Sequence, residues 1–294
     1  MSGLSWPVYA ILCAFFTATA DVFSKIGMRK TDVYAIGWLR IILAVPFLFL
    51  LLFLFKIPEI NGLFWGVIFL LLPLELTAYI LYLKAIKISD LSITLPFLAL
   101  TPMFAMVTSF IMLGEKLKFL GVAGIFLVGI GAYFLNIDRA GEGILQPFKK
   151  ACKETGPRFM IIVAFIYSIT SNLGKFAILH SSPTFFPVIH FSLVGFTLTP
   201  LVWIRYNNRK KAQIIWSKEQ VPLYLLMGLI FALAIFTHCL AISQANVAYM
   251  ISVKRMSLLF GVAYGGLVFR EKNIKNRFTG ALFMLFGAIL ITLA

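Results

Sequence analysis

KAIKISDLSITLPFLALTPMFAMVTSFIMLGEK, residues 84–116, lies without a gap over LAISQANVAYMISVKRMSLLFGVAYGGLVFREK, residues 240–272. The offset of 156 keeps Ala85 over Ala241, Ile86 over Ile242, Phe104 over Phe260, Glu115 over Glu271 and Lys116 over Lys272. Beyond these stretches it also keeps Gly124 over Gly280 and Gly131 over Gly287. An offset of 150 does the same earlier, with Ile11/Ile161, Ala14/Ala164, Phe15/Phe165 and Lys25/Lys175. The chain therefore reads as two copies of one unit, residues 1–137 and 159–294, joined by a linker at 138–158.

The solvent for these units is lipid. Of 294 residues, 61% are apolar and only 13% are charged, and the mean hydropathy is +0.96. A water-soluble fold of this size could not hide so much apolar surface. Ten apolar runs are long enough to cross a bilayer core of about 30 Å as helices. They lie roughly at 6–28, 33–55, 62–86, 91–113, 119–137, 159–179, 185–205, 221–242, 247–269 and 278–293. Strands are excluded by run length and the lack of two-residue alternation. The expected fold is an all-α integral membrane protein of ten helices. Five spans per copy is an odd number, so the second copy enters the membrane from the opposite side. Inverted repeats of this kind point to a carrier that holds its substrate near the midplane.

Other classes find no residues to support them. The basic residues (26 Lys+Arg against 11 Asp+Glu) sit in short loops, so no nucleic-acid partner is expected. Cys13, Cys152 and Cys239 form no CxxC pair, and His180, His190 and His238 lack metal-ligand spacing, so neither metal nor cofactor is expected. There is no Walker loop, HExxH or GxSxG, which leaves a lipid-modifying enzyme as a remote alternative without catalytic residues. The opening MSGLSW has no basic n-region, so the first run reads as a retained span. Ile214, Ile215 and Trp216, among charges, suggest a segment resting in the headgroups.

The stretch LTPMFAMVTSFIMLGEKL, residues 100–117, followed by a glycine-spaced helix, resembles the EamA-like carriers of the drug/metabolite transporter superfamily. The resemblance implies ten helices around a central cavity and movement of metabolites without ATP. The second copy departs from the first: Leu258 replaces the proline matching Pro102, and Lys254-Arg255 stands just upstream. Basic residues there resemble the nucleotide-sugar and sugar-phosphate branches, which carry phosphorylated anions.

Charges inside spans cost about 2.5–3.5 kcal/mol each at mid-helix, so they mark a cavity or a partner. Lys254 and Arg255 read as an anion clamp, or else as a snorkelling lysine beside an arginine bonded to Glu75 or a carbonyl. Glu75, two residues after Pro73, reads as a proton-coupling site or as the ion-pair partner of Arg40 or Arg255. Asp21 and Lys25 are an i, i+4 pair. Lys25 and its repeat mate Lys175, the latter preceded by Thr170, Ser171 and Asn172, either line the cavity or snorkel from its ends. Arg40 reads as a structural anchor, and His238, more than His190, as a titrating group or a satisfied polar one. Pro96 and Pro102 are expected to kink a cavity helix. The GxxxG pairs Gly62/Gly66 and Gly261/Gly265 suggest close helix packing, and Trp6, Trp38, Trp65 and Trp203 suggest interfacial belts.

Summed within spans, Lys25, Arg40, Lys175, Lys254 and Arg255 face Asp21 and Glu75, which favours an anionic, phosphorylated or carboxylate substrate moved by exchange or proton coupling. Export of neutral or amphipathic metabolites or amino acids, and flipping of a lipid headgroup, are the competing functions. Expected partners are the lipid bilayer, a small-molecule substrate and, optionally, a second copy of the chain. The site is expected in the inner or plasma membrane. Eighteen basic residues fall in loops of one face and three, Lys56, Lys116 and Lys118, in those of the other. That bias puts both termini outside, whereas the resemblance implies both in the cytoplasm.

Overall fold

Turn chemistry written in the sequence starts and stops the helices. Asp32 caps one by accepting from Tyr34 N at 3.1 Å, and Asn61 caps another through Phe64 N at 3.2 Å. Gly114 ends a third in the left-handed conformation, with φ of 67°. The computed structural model describes residues 5–89, 95–136, 154–206, 218–268 and 278–294. Cys152, most of the linker, Ile214–Trp216 and Glu271–Lys272 lie outside the described residues.

The first half contains α1 (Trp6–Gly27), α2 (Val33–Ile42), α3 (Val45–Leu54), α4 (Gly62–Ile88), a 3-10 turn at Leu95–Leu100, α5 (Thr101–Leu113) and α6 (Phe119–Asn136). The second contains α7 (Thr155–Leu179), α8 (Phe185–Tyr206), α9 (Val221–Gln244), α10 (Val247–Lys254), α11 (Ser257–Leu267) and α12 (Phe278–Leu293). No strand occurs among the described residues. Among the described residues, seven segments have the length and composition to cross a membrane, and three further apolar helices are shorter. The protein is an all-α, multi-pass membrane protein. Phe53 and Phe119 are 87% and 88% exposed, a surface suited to acyl chains and costly in water.

Three of the expected spans are broken. Pro46 has no N–H to give Ile42, and the run 33–55 divides into α2 and α3. Pro102 cannot donate to Leu98, and a 3-10 turn precedes α5. The third break, between α10 and α11, has no proline. Arg255 N reaches Ser252 O, Met256 N reaches Val253 O and Leu258 N reaches Arg255 O, so the backbone tightens to i→i−3 bonds. Mid-helix 3-10 geometry of this kind is often a hinge.

The broadest helix contacts join the two halves. α1 packs on α9, α4 on α7, and α6 on α12. In the last pair the backbones touch at glycines: a Cβ on Gly131 would lie 2.6 Å from Gly280 O, and one on Gly124 would lie 2.6 Å from Gly287 O. These are the glycines that the repeat alignment keeps. The GxxxG reading needs correction. A Cβ at Gly62, Gly66 or Gly261 meets nothing within 4 Å, because those positions point outward, whereas Gly265 is buried. Trp38 also departs from the belt reading: it turns inward and donates to Thr199 Oγ1 at 3.0 Å.

A stability contrast follows. Gly131→Ala is expected to cost about 1–3 kcal/mol, since Gly280 O and Met284 N are backbone atoms that cannot swing away. Gly66→Ala is expected to be neutral or to gain up to about 1 kcal/mol from helix propensity. Thermal midpoints in detergent should move down for the first and hold or rise for the second.

Candidate functional site

Three helical stripes meet at the centre. On α4, Glu75, Tyr79 and Tyr82 are spaced i, i+4, i+7 and share one face, each half-buried. They follow Pro73, whose carbonyl accepts from the Thr77 hydroxyl at 2.7 Å. On α7, Tyr167, Thr170 and Ser171 form the opposing face. Thr170 faces the Glu75 carboxylate and donates to Tyr167 O at 3.5 Å, and Ser171 donates to the same carbonyl at 2.7 Å.

The third stripe is the break between α10 and α11. Lys254 is the last residue of α10, and Arg255 caps it. Cations at a helix C-terminus are favoured by the backbone dipole, which offsets part of their cost there. Lys254 Nζ lies 3.4 Å from His238 Nδ1 of α9 and within electrostatic reach of Glu75. Arg255 Nη2 donates to Thr101 Oγ1 at 2.8 Å. The Thr101 hydroxyl spends its own hydrogen on Leu98 O at 2.7 Å, so it presents a lone pair to the guanidinium. Arg255 Nε is buried with no hydrogen-bond acceptor, and Tyr82 and Tyr167 lie within electrostatic reach of the guanidinium. The cluster thus gathers α4 and Thr101 from the first half and α7, α9 and α10 from the second.

The other in-span charges are arranged differently from the sequence expectation. Asp21 pairs with Arg40, Oδ1 to Nη1 at 2.5 Å. The Arg40 guanidinium also lies over the Phe231 ring, 4.1 Å from its centroid. Arg40 is therefore an anchor between α1, α2 and α9, and its carboxylate is Asp21, not Glu75. Lys175 pairs with Glu115 at 2.5 Å and donates to Ala245 O at 2.7 Å. Ala245 precedes Lys254 by about 13 Å of helix axis, so Lys175 belongs to one end of the bundle and is not brought together with Lys254. Lys25 is exposed in the last turn of α1, where it too engages a partner. Asn172 ties α7 to α5, donating to Thr108 Oγ1 at 2.9 Å. His190 is buried against Phe186, with ring centroids 5.3 Å apart, outside the cluster. Among the described residues, no group of three or more His, Cys, Asp or Glu is placed to hold a metal ion.

What remains at the centre is two cations, Lys254 and Arg255, against one carboxylate, Glu75. Tyr79, Tyr82, Tyr167 and Thr101 were not singled out from the sequence. The i, i+4, i+7 spacing from Glu75 was the signal available for the first two.

Residues 4–137 match the model of the EamA-like transporter family. By that match, residues 4–137 are similar to the EamA-like transporters. A solved crystal structure shares the fold over 98% of this chain and 95% of its own, with a TM-score of 0.75 at 16% identity. At that identity the likeness shows the fold alone. No curated protein matches the sequence. That family is one of transporters, and the described helices are those of a multi-pass membrane protein.

Proposed function

We propose that this protein is a secondary carrier of a small organic anion, phosphorylated or carboxylate, as its similarity to the EamA-like transporters over residues 4–137 suggests. Its two halves, 1–137 and 159–294, rock about a site between them, by exchange or with proton coupling. The observation that supports the anion is Arg255. It sits at a helix hinge with a hydroxyl on one side, phenols nearby and a buried N–H that has no acceptor. An unpaired donor at that depth is costly, and an anion from outside the protein would satisfy it. The adjoining Lys254 supplies a second charge. Asp21, Lys25, Lys175 and Arg40 serve as structural ion pairs and helix-end charges in this reading. The partners are the bilayer and a small molecule, with a second copy optional, and the cell membrane is the expected site.

The test is uptake by proteoliposomes loaded and challenged with organic anions, neutral metabolites and cations. Saturable anion exchange supports the reading, and transport of only neutral or cationic solutes overturns it. Orientation is tested separately. A reporter active only in the cytoplasm and fused after Ala294 is expected to be silent, following the charge bias of the loops, and an active fusion reverses the orientation.

A further inference from the structure

We infer that the Lys175–Glu115 pair is a latch that closes one end of the carrier; this rests on the alternating-access reading above. Both carboxylate oxygens are committed. Oε1 takes the Lys175 ammonium at 2.5 Å, and Oε2 accepts from Val247 N, the first residue of α10, at 2.8 Å. Lys175 also holds Ala245 O in the turn before α10. The two charges are nearly sequestered, with side chains 13% and 8% exposed. Around them Tyr249 Oη accepts from Lys118 N at 3.0 Å, and Asn246 Nδ2 donates to Lys116 O at 3.4 Å. Gly114, left-handed at φ 67°, turns the loop so that Glu115 faces α10.

The position makes this junction more than a bolt. It joins the loop 114–118 of the first half to α7 and α10 of the second, and both of those helices carry central residues. α7 holds Thr170 and Ser171 within about a turn and a half of Lys175. α10 is a single rod of 8 residues, about 12 Å long, with the latch at Val247 and Lys254 at the other end, beside the 3-10 hinge. Forming the latch draws α7 and α10 together over the site. Releasing it lets α10 swing at Arg255–Met256. A sequestered ion pair adds little net stability but strongly specifies one arrangement, as a two-state element requires.

The experiment reads access, not transport. In a chain with Cys13→Ser, Cys152→Ser and Cys239→Ser, Ser171→Cys is labelled in proteoliposomes by a membrane-impermeant maleimide, applied to each face in turn without substrate. Glu115→Gln and Lys175→Met are each expected to raise labelling about fivefold from one face only, with no rise from the other, as a shift in a two-state population gives. The exchange Glu115→Lys with Lys175→Glu is expected to restore part of the protection. Unchanged labelling in both single variants overturns the latch, as does an equal rise from both faces, which marks loosened folding. Anion uptake by the wild-type protein separates the two claims: its absence counts against the carrier reading and leaves the labelling result standing on its own.

Discussion

Arg255→Met is expected to abolish anion transport while leaving the ligand-free protein at least as stable as before. Truncating the buried charged partner of an ionic group costs about 2–5 kcal/mol in binding, so the loss is roughly 30-fold to several thousand-fold in affinity. Stability should move the other way. The guanidinium has one hydroxyl acceptor and an Nε without any, and removing a poorly satisfied charge from hydrocarbon depth recovers part of its insertion cost. Arg255→Lys is expected to retain only part of the function, because a point charge cannot reproduce a planar fork. Thermal midpoints and proteoliposome exchange rates on the same preparations check both halves of this result. A lower ligand-free midpoint with unchanged exchange would mark Arg255 as a structural residue.

Glu75→Gln is expected to tighten anion binding about tenfold and to slow exchange. Glu75 lies within electrostatic reach of Lys254, so on the anion-carrier proposal its carboxylate competes with the substrate for that ammonium. Removing the competing charge leaves Lys254 uncompensated and favours the loaded state, and a tenfold change corresponds to about 1.4 kcal/mol. Tight binding of that kind deepens the bound well, and turnover falls. The opposite outcome, weaker binding with intact turnover, would show Glu75 to be a positioning group for substrate. A variant that still exchanges anions but no longer responds to an imposed pH gradient would assign it proton coupling.

Much of this arrangement was legible before any coordinates. The glycines that the offset of 156 pairs, Gly124 with Gly280 and Gly131 with Gly287, are where α6 and α12 touch backbone to backbone. The depth of Lys254 and Arg255 marked a candidate site, because charge in lipid is expensive wherever it occurs. Pairing was not legible. Helical spacing relates Asp21 to Lys25 within one helix and is silent on Arg40, which reaches Asp21 from 19 residues away. Glu115 looked like a loop residue because its role, capping α10 and binding Lys175, joins segments 60 and 132 residues apart. The tyrosines escaped notice because an apolar run tolerates them without cost to its hydropathy. The hinge at Arg255–Met256 was hidden for a related reason: without proline or glycine at the break, nothing in the local sequence distinguishes it from continuous helix.

The most direct measurement is the thermal midpoint of detergent-solubilised protein across a panel of organic anions, neutral metabolites and amines, for the wild type and for Lys254→Met with Arg255→Met. A ligand that prefers the folded state raises that midpoint. Stabilisation by one or more anions in the wild type, lost in the double variant, is the predicted result. Anion stabilisation that survives in the double variant, or a wild type stabilised only by neutral or cationic compounds, would contradict an anion site at Lys254 and Arg255.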